Sequence, residues 1–142
     1  MIKKKIRKIL VPIDGSKSSF KGLDEAIYLA RQCGATLTGF YVVPIYPSRF
    51  ADLVNTFKKE AFRQGKKFLD DAKTISALNG IVFNSKIIYG EPKYEIIDFA
   101  HGGKFDLIVI GSRGFGPIKE MFLGSVANAV LHRSKVPVLI VK

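Results

Sequence analysis

The chain holds one cysteine, Cys33, no tryptophan and two histidines among its 142 residues. A lone cysteine excludes an internal disulfide and a zinc cluster built on cysteine, and Cys33 reads as a small apolar residue at least half inside. His101 and His132 have no partner at metal-ligand or triad spacing, so neither is assigned to catalysis. His101 stands where a cation would favour a helix C-terminus, and His132 reads as a surface or packing residue. No apolar run approaches the ~20 residues of a membrane span, so no membrane insertion is expected. The basic start MIKKKIRK leads into ILVPI, an apolar stretch too short for a secretory signal and without a small-residue cleavage site. The expected location is therefore cytoplasmic. Acidic side chains are also scarce, 12 against 23 basic, for a formal charge of +11. Five of those charges are Lys3, Lys4, Lys5, Arg7 and Lys8. Such a surface draws nucleotides, nucleic acid and anionic lipid, but it also simply keeps a protein in solution. No aromatic residue interleaves with the basic run, so nucleic acid is not the expected partner.

What is present alternates strand and helix from end to end, with no linker, repeat or low-complexity tract. Apolar runs at 6–14, 35–43, 81–89, 106–111 and 136–142 predict five strands. DGSKSS after the first offers Ser16 or Ser18 as N-cap of a helix carrying Leu23, Ala26, Ile27 and Ala30, with Gly34 as its stop. Pro44 and Pro47 break the second strand, leaving 44–49 as a loop. Phe50, Leu53, Val54, Phe57, Ala61, Phe68, Leu69, Ala72 and Ile75 form one broad stripe on a long helix. That stripe reads as core, with some excess near a cleft, and Asn79-Gly80 ends the helix. Pro92 opens a short helix of Ile96, Ile97 and Ala100 that Gly102-Gly103 stops. Strands that are apolar without clean alternation predict a parallel sheet covered on both faces, hence one α/β domain over 1–142.

In such a sheet, ligands bind beyond the carboxyl ends of the strands, where strand order reverses. Two strand ends carry polar or glycine-rich turns: Asp14-Gly15-Ser16, and Gly111-Ser112-Arg113-Gly114. Glycine permits close approach to a phosphate and unusual φ, ψ; Arg113 offers a forked donor, and Ser125 a hydroxyl at a helix start. The same glycines also serve a tight strand exit and a plain helix start, so spacing alone leaves both readings open. Asp14 is likewise open between catalytic base, metal ligand for Mg2+, ribose contact, and Asx-type cap before Ser16. A Walker A loop is excluded because Pro117 stands where lysine is required, and the first strand lacks the dinucleotide fingerprint.

The stretches ILVPIDGSKSS, GEPKYEIIDFA and FDLIVIGSRGFGPIKEMFLGSVANAVLHRSKVPVLIVK resemble the universal stress protein family over essentially the whole chain after the basic tail. The ATP-binding branch of that family is marked by G-2x-G-9x-G-[ST], a spacing that Gly111, Gly114, Gly124 and Ser125 match. The resemblance implies a three-layer α/β sandwich, Rossmann-like and adenine nucleotide alpha hydrolase-like, with strand order 3-2-1-4-5. It implies an ATP (or ADP or AMP) cleft in which Pro12, Ile13, Asp14 and Val42 border adenine and ribose. Gly111, Arg113, Gly114, Gly124, Ser125 and Val126 would line ribose and phosphates. It also implies a homodimer through the last strand, 136–141. Phe115 and Pro117 depart from the small, polar or basic residues usual after Gly114, which bears on the loop near the γ-phosphate. No base stands near that phosphate, so the expectation is a nucleotide-dependent switch in a stress response, with protein partners unknown and hydrolysis slow at most. A weak ATPase, and a nucleic-acid or anionic-surface binder acting through the tail, are the alternatives.

Overall fold

A computed structural model describes residues 4–45, 51–115 and 122–142; of residues 51 and 52 it describes the backbone alone. Nine elements follow in order: β1 (Lys8–Pro12), α1 (Lys17–Cys33), β2 (Thr36–Pro44), α2 (Ala51–Leu78), β3 (Phe83–Gly90), α3 (Pro92–Gly102), β4 (Leu107–Gly111), α4 (Ser125–Arg133) and β5 (Val138–Val141). The strands form one parallel sheet in the order β3-β2-β1-β4-β5. Ile9 pairs with both Leu37 and Leu107, which fixes β1 at the centre.

Alternation along the central strands sends side chains to two cores. Ile9, Val11, Ile13, Leu107 and Val109 meet Leu23, Ala26, Ile27 and Ala30 of α1 and Leu69 and Ala72 of α2. Leu10, Phe40, Val42, Ile108 and Ile110 meet Ile96, Ile97 and Ala100 of α3 and Ala127 and Val130 of α4. Burial on both faces is why these strands read as continuous apolar runs. The result is a three-layer, Rossmann-like α/β sandwich, as the sequence led us to expect.

Local signals account for most element ends. The Ser16 hydroxyl caps α1 by accepting the Ser19 N–H at 3.1 Å, so Ser16 rather than Ser18 is the cap. Gly34 closes α1 in the left-handed region at φ 68°, and Gly80 follows α2 at φ 72°. After α3 the left-handed residue is Lys104, φ 53°, and not either glycine of the Gly102-Gly103 stop.

Four expectations need correction. Pro44 does not break β2; it is the last paired residue, opposite Gly90, and the ladder hands on to Ile45, whose N–H bonds the Gly90 carbonyl. A proline at a strand end interrupts no further ladder bond. The α2 stripe is core only in its second half. Leu69 and Ala72 are buried, whereas Leu53 and Phe57 are exposed. Phe50 of that stripe lies outside the described residues. His101 does more than stand at a helix end: its Nε2 accepts the Lys135 N–H at 2.9 Å and ties the end of α3 to the turn before β5. The basic start is partly structural. Lys8 donates its ammonium to the Gly103 carbonyl and lies 4.5 Å from the centre of the Phe105 ring. The Arg7 and Lys8 amides both donate to Asp106, at 2.9 and 3.0 Å. Those bonds, the Arg7 amide's first, hold the Asp106 carboxyl below its ordinary range against a smaller opposing effect of burial.

Candidate functional site

Strand order reverses between β1 and β4, and the turns leaving these strands face each other there. They enclose a cleft of about 460 Å³. Pro12, Ile13, Asp14, Val42, Gly111, Arg113, Gly114, Gly124, Ser125 and Val126, the ten residues singled out in the sequence, all line it. A second depression of about 540 Å³ is formed by α2 alone, at Asp70, Lys73, Thr74, Ala77 and Leu78, and gathers no residue from another element.

The floor is built from β1. Asp14 leaves the ladder and its Oδ1 accepts the Ser16 N–H at 2.9 Å, the Asx turn foreseen for it. Its other oxygen crosses towards the opposite turn: a Cβ placed on Gly114 would lie 2.8 Å from Oδ2. Asp14 is thus both turn cap and cleft carboxylate. Among the described residues, no three histidine, cysteine, aspartate or glutamate side chains converge to hold a metal.

The glycine turn is held from behind. The Arg113 N–H donates to the Ser18 hydroxyl at 3.2 Å, which ties the turn after β4 to the first turn of α1. A Cβ on Gly111 would stand 2.5 Å from the Ser18 carbonyl oxygen, so α1 and β4 approach closely only because Gly111 is bare. A Cβ on Gly124 would meet the Arg113 Cα at 3.3 Å and the Gly114 nitrogen at 3.4 Å. None of the three has a positive φ. The sequence argument from unusual dihedrals therefore gives way to one from space.

Gly124 is also the N-cap of α4, and no side chain among the described residues caps that end. Its own N–H bonds the Ser112 carbonyl at 2.8 Å, and Ser125 and Val126 open the helix at the cleft wall. A helix start with no side-chain cap keeps donors and the positive end of its dipole for an incoming anion.

The opposite wall was missed by motif reading. Tyr41, Gln64 and Phe68 line the cleft from β2 and α2. Phe68 packs on Gly15, where a Cβ would come within 2.4 Å of the ring, and Tyr41 packs on Gly65, within 2.1 Å. The two rings meet edge to face at 6.3 Å. Burial first, and the Asp14 charge second, raise the Tyr41 phenol above its ordinary value, so it stays a protonated donor. The only signal in the sequence was two bare residues, Gly15 and Gly65, whose aromatic partners lie far along the chain. Phe40, Val42, Ile96 and Ile110 supply an apolar back wall. Phe115 is exposed and also lines the cleft, while Gly116 and Pro117 lie outside the described residues.

Comparison with known proteins agrees with this architecture. The model of the universal stress protein family matches residues 5–142. Universal stress protein YxiE of Bacillus subtilis (strain 168) is 37% identical over 148 aligned positions, covering 95% of this chain and 98% of its own. The solved structure of MJ0577 from Methanocaldococcus jannaschii superposes with a TM-score of 0.90 at 27% identity, covering 98% of this chain and 97% of its own. A universal stress protein solved in complex with cAMP gives a TM-score of 0.77 at 28% identity, covering 98% and 99%. With a family match over nearly its whole length and a relative this similar, the chain belongs to the universal stress protein family.

Proposed function

We propose that this protein binds an adenine nucleotide, ATP or its products ADP or AMP, and serves as a nucleotide-dependent switch in a stress response. The observation that carries the reading is convergence. Gly111, Gly114, Gly124 and Ser125, spaced as in the ATP-binding branch, stand in one cleft at the switch point with an α4 N-terminus no side chain caps. The related structure holding cAMP supports an adenine ligand.

In this reading the phosphates lie against the amides opening α4, with Gly114 left bare to admit them and Arg113 beside them. The apolar wall of Val42, Ile96 and Ile110 takes the base, and Asp14 faces the ribose. Asp14 is also the carboxylate that would hold Mg2+, a cation that takes one or two carboxylates and would supply charge neutralisation for the phosphates. Among the described residues Asp14 is the one carboxylate lining the cleft, and its Oδ1 is already engaged by the Ser16 N–H. Because those residues supply no second base to position water, the reading keeps hydrolysis slow at most. The proposal extends to one domain, a homodimer through 136–141 and work in the cytoplasm.

Native mass spectrometry of the purified chain with ATP tests the binding claim. One adenine nucleotide retained per cleft is expected. A spectrum that stays at the mass of the bare protein in millimolar ATP contradicts it.

A further inference from the structure

The carboxyl end of the sheet carries more than the cleft. Ile45 follows β2, Tyr89 ends β3, Phe115 follows β4 and Phe122 precedes α4, while Leu53 and Phe57 lie in the first turns of α2. All six are exposed, Leu53 at 58%, Phe57 at 68% and Phe115 at 75%. Parallel topology brings them to one end, since each strand delivers its exit there and α2 starts there. Large apolar side chains gathered on one exposed face mark an interaction surface.

The charge beside them indicates what they meet. Between residues 52 and 68 stand Lys58, Lys59, Arg63, Lys66 and Lys67 against two acids, Asp52 and Glu60. Glu60 is paired with Arg63 at 2.8 Å, and four lysines remain, so the shoulder is basic. Of the described acids near this end, Glu91 and Glu95 belong to the start of α3, on the other face of the sheet, and Asp14 lies in the cleft. The apolar residues come from separate elements; Phe115 also lines the rim of the cleft, and the Tyr89 ring stacks on Phe62 of α2 at 6.2 Å. A protein partner would need a matching pocket for each. A bilayer surface accepts them all at once, with cations at the headgroups and Phe and Leu at the acyl boundary.

We propose that the first half of α2, with the neighbouring aromatic residues at the strand exits, docks this protein reversibly on an anionic membrane surface. This face is distinct from the basic N-terminal tail, which enters β1 at the opposite end of the sheet. It also requires no nucleotide.

The test is co-sedimentation of the full chain at physiological salt with vesicles of phosphatidylcholine alone or with phosphatidylglycerol. Binding is expected only where phosphatidylglycerol is present. The pair Leu53→Ser and Phe57→Ser is expected to weaken it at least about tenfold, given the apolar area each withdraws. Both side chains are more than half exposed, so the melting temperature should not move; if it does, Lys58→Glu with Lys59→Glu carries the test with the same expected loss. Four results would overturn the proposal: no vesicle binding, equal binding to neutral vesicles, binding indifferent to these substitutions, or binding lost only when residues 1–5 are removed. Capture of RNA or DNA in place of vesicles, abolished by the same α2 changes, would also overturn it and assign the face to nucleic acid.

Discussion

Gly15, Gly111 and Gly114 look alike in the sequence, but each is bare for a different reason. Gly15 holds φ 88° with the Phe68 ring against it. Gly15→Ala therefore combines backbone strain with a clash, and should cost about 2 kcal/mol or more, seen as a melting temperature lower by several degrees. Gly111 is bare because the Ser18 backbone leaves no room. Gly111→Ala should destabilise by about 1–3 kcal/mol in a denaturant titration, since the obstructing atom belongs to a helix that cannot yield cheaply. Among the described residues Gly114 meets only the end of the Asp14 side chain, so Gly114→Val should leave stability nearly unchanged while abolishing nucleotide binding in calorimetry. A Gly114→Val protein that binds like the parent would remove that residue from the phosphate site. The motif made Gly111 and Gly114 legible as a set, and Gly15 stood out in the polar turn after the first strand; their separate reasons were not legible, because they depend on Phe68, Ser18 and Asp14, remote in sequence. Tyr41 escaped notice on the same ground, and Phe68 was read only as a member of the α2 stripe.

At the level of elements, patterns of period and capping sufficed for order and number. Ser16, Gly34 and Pro92 each carry their signal in their own chemistry, which is why those boundaries were readable. Periodicity reports which residues share a helix face and not how far the sheet extends beneath it, so the α2 stripe was read as core throughout although Phe57 is exposed. Pro44 was read as a breaker since a proline does not reveal whether the ladder ends before it or with it. The junction of β1 and β4 has a test of its own. Asp106 accepts two amides from Arg7 and Lys8, and its carboxyl is held below its ordinary range. A depressed native pKa adds stability that is full above the unfolded value and is lost as pH falls through the native one. Asp106→Asn should therefore lower the melting temperature at pH 7, and the gap from the parent should narrow as pH drops below about 4. A gap that stays constant down to pH 2 would show that the carboxylate charge contributes nothing there.

For the whole molecule, a parallel sheet must end somewhere, and it ends at β3 and β5. The β5 edge is short, apolar and bears an exposed Leu139, the kind of edge a second copy would cover. Light scattering coupled to size-exclusion chromatography should give twice the 15.7 kDa chain mass, and Leu139→Lys should return the single mass. A parent protein that elutes at the single mass would contradict the dimer. The fold as a whole was legible since five apolar runs separated by amphipathic segments admit little but a covered parallel sheet. The cleft became legible once the family resemblance gave the spacing a meaning, because Gly111, Gly114, Gly124 and Ser125 become neighbours of Asp14 only when β1 and β4 pair. The central claim is that this neighbourhood holds an adenine nucleotide. Its most direct measurement is isothermal calorimetry of the full chain with ATP and Mg2+, beside the Gly114→Val variant. Saturable binding by the parent, at one site per chain, and none by the variant is the predicted result; a parent protein that gives no binding heat and stays unsaturated at millimolar ATP would contradict it.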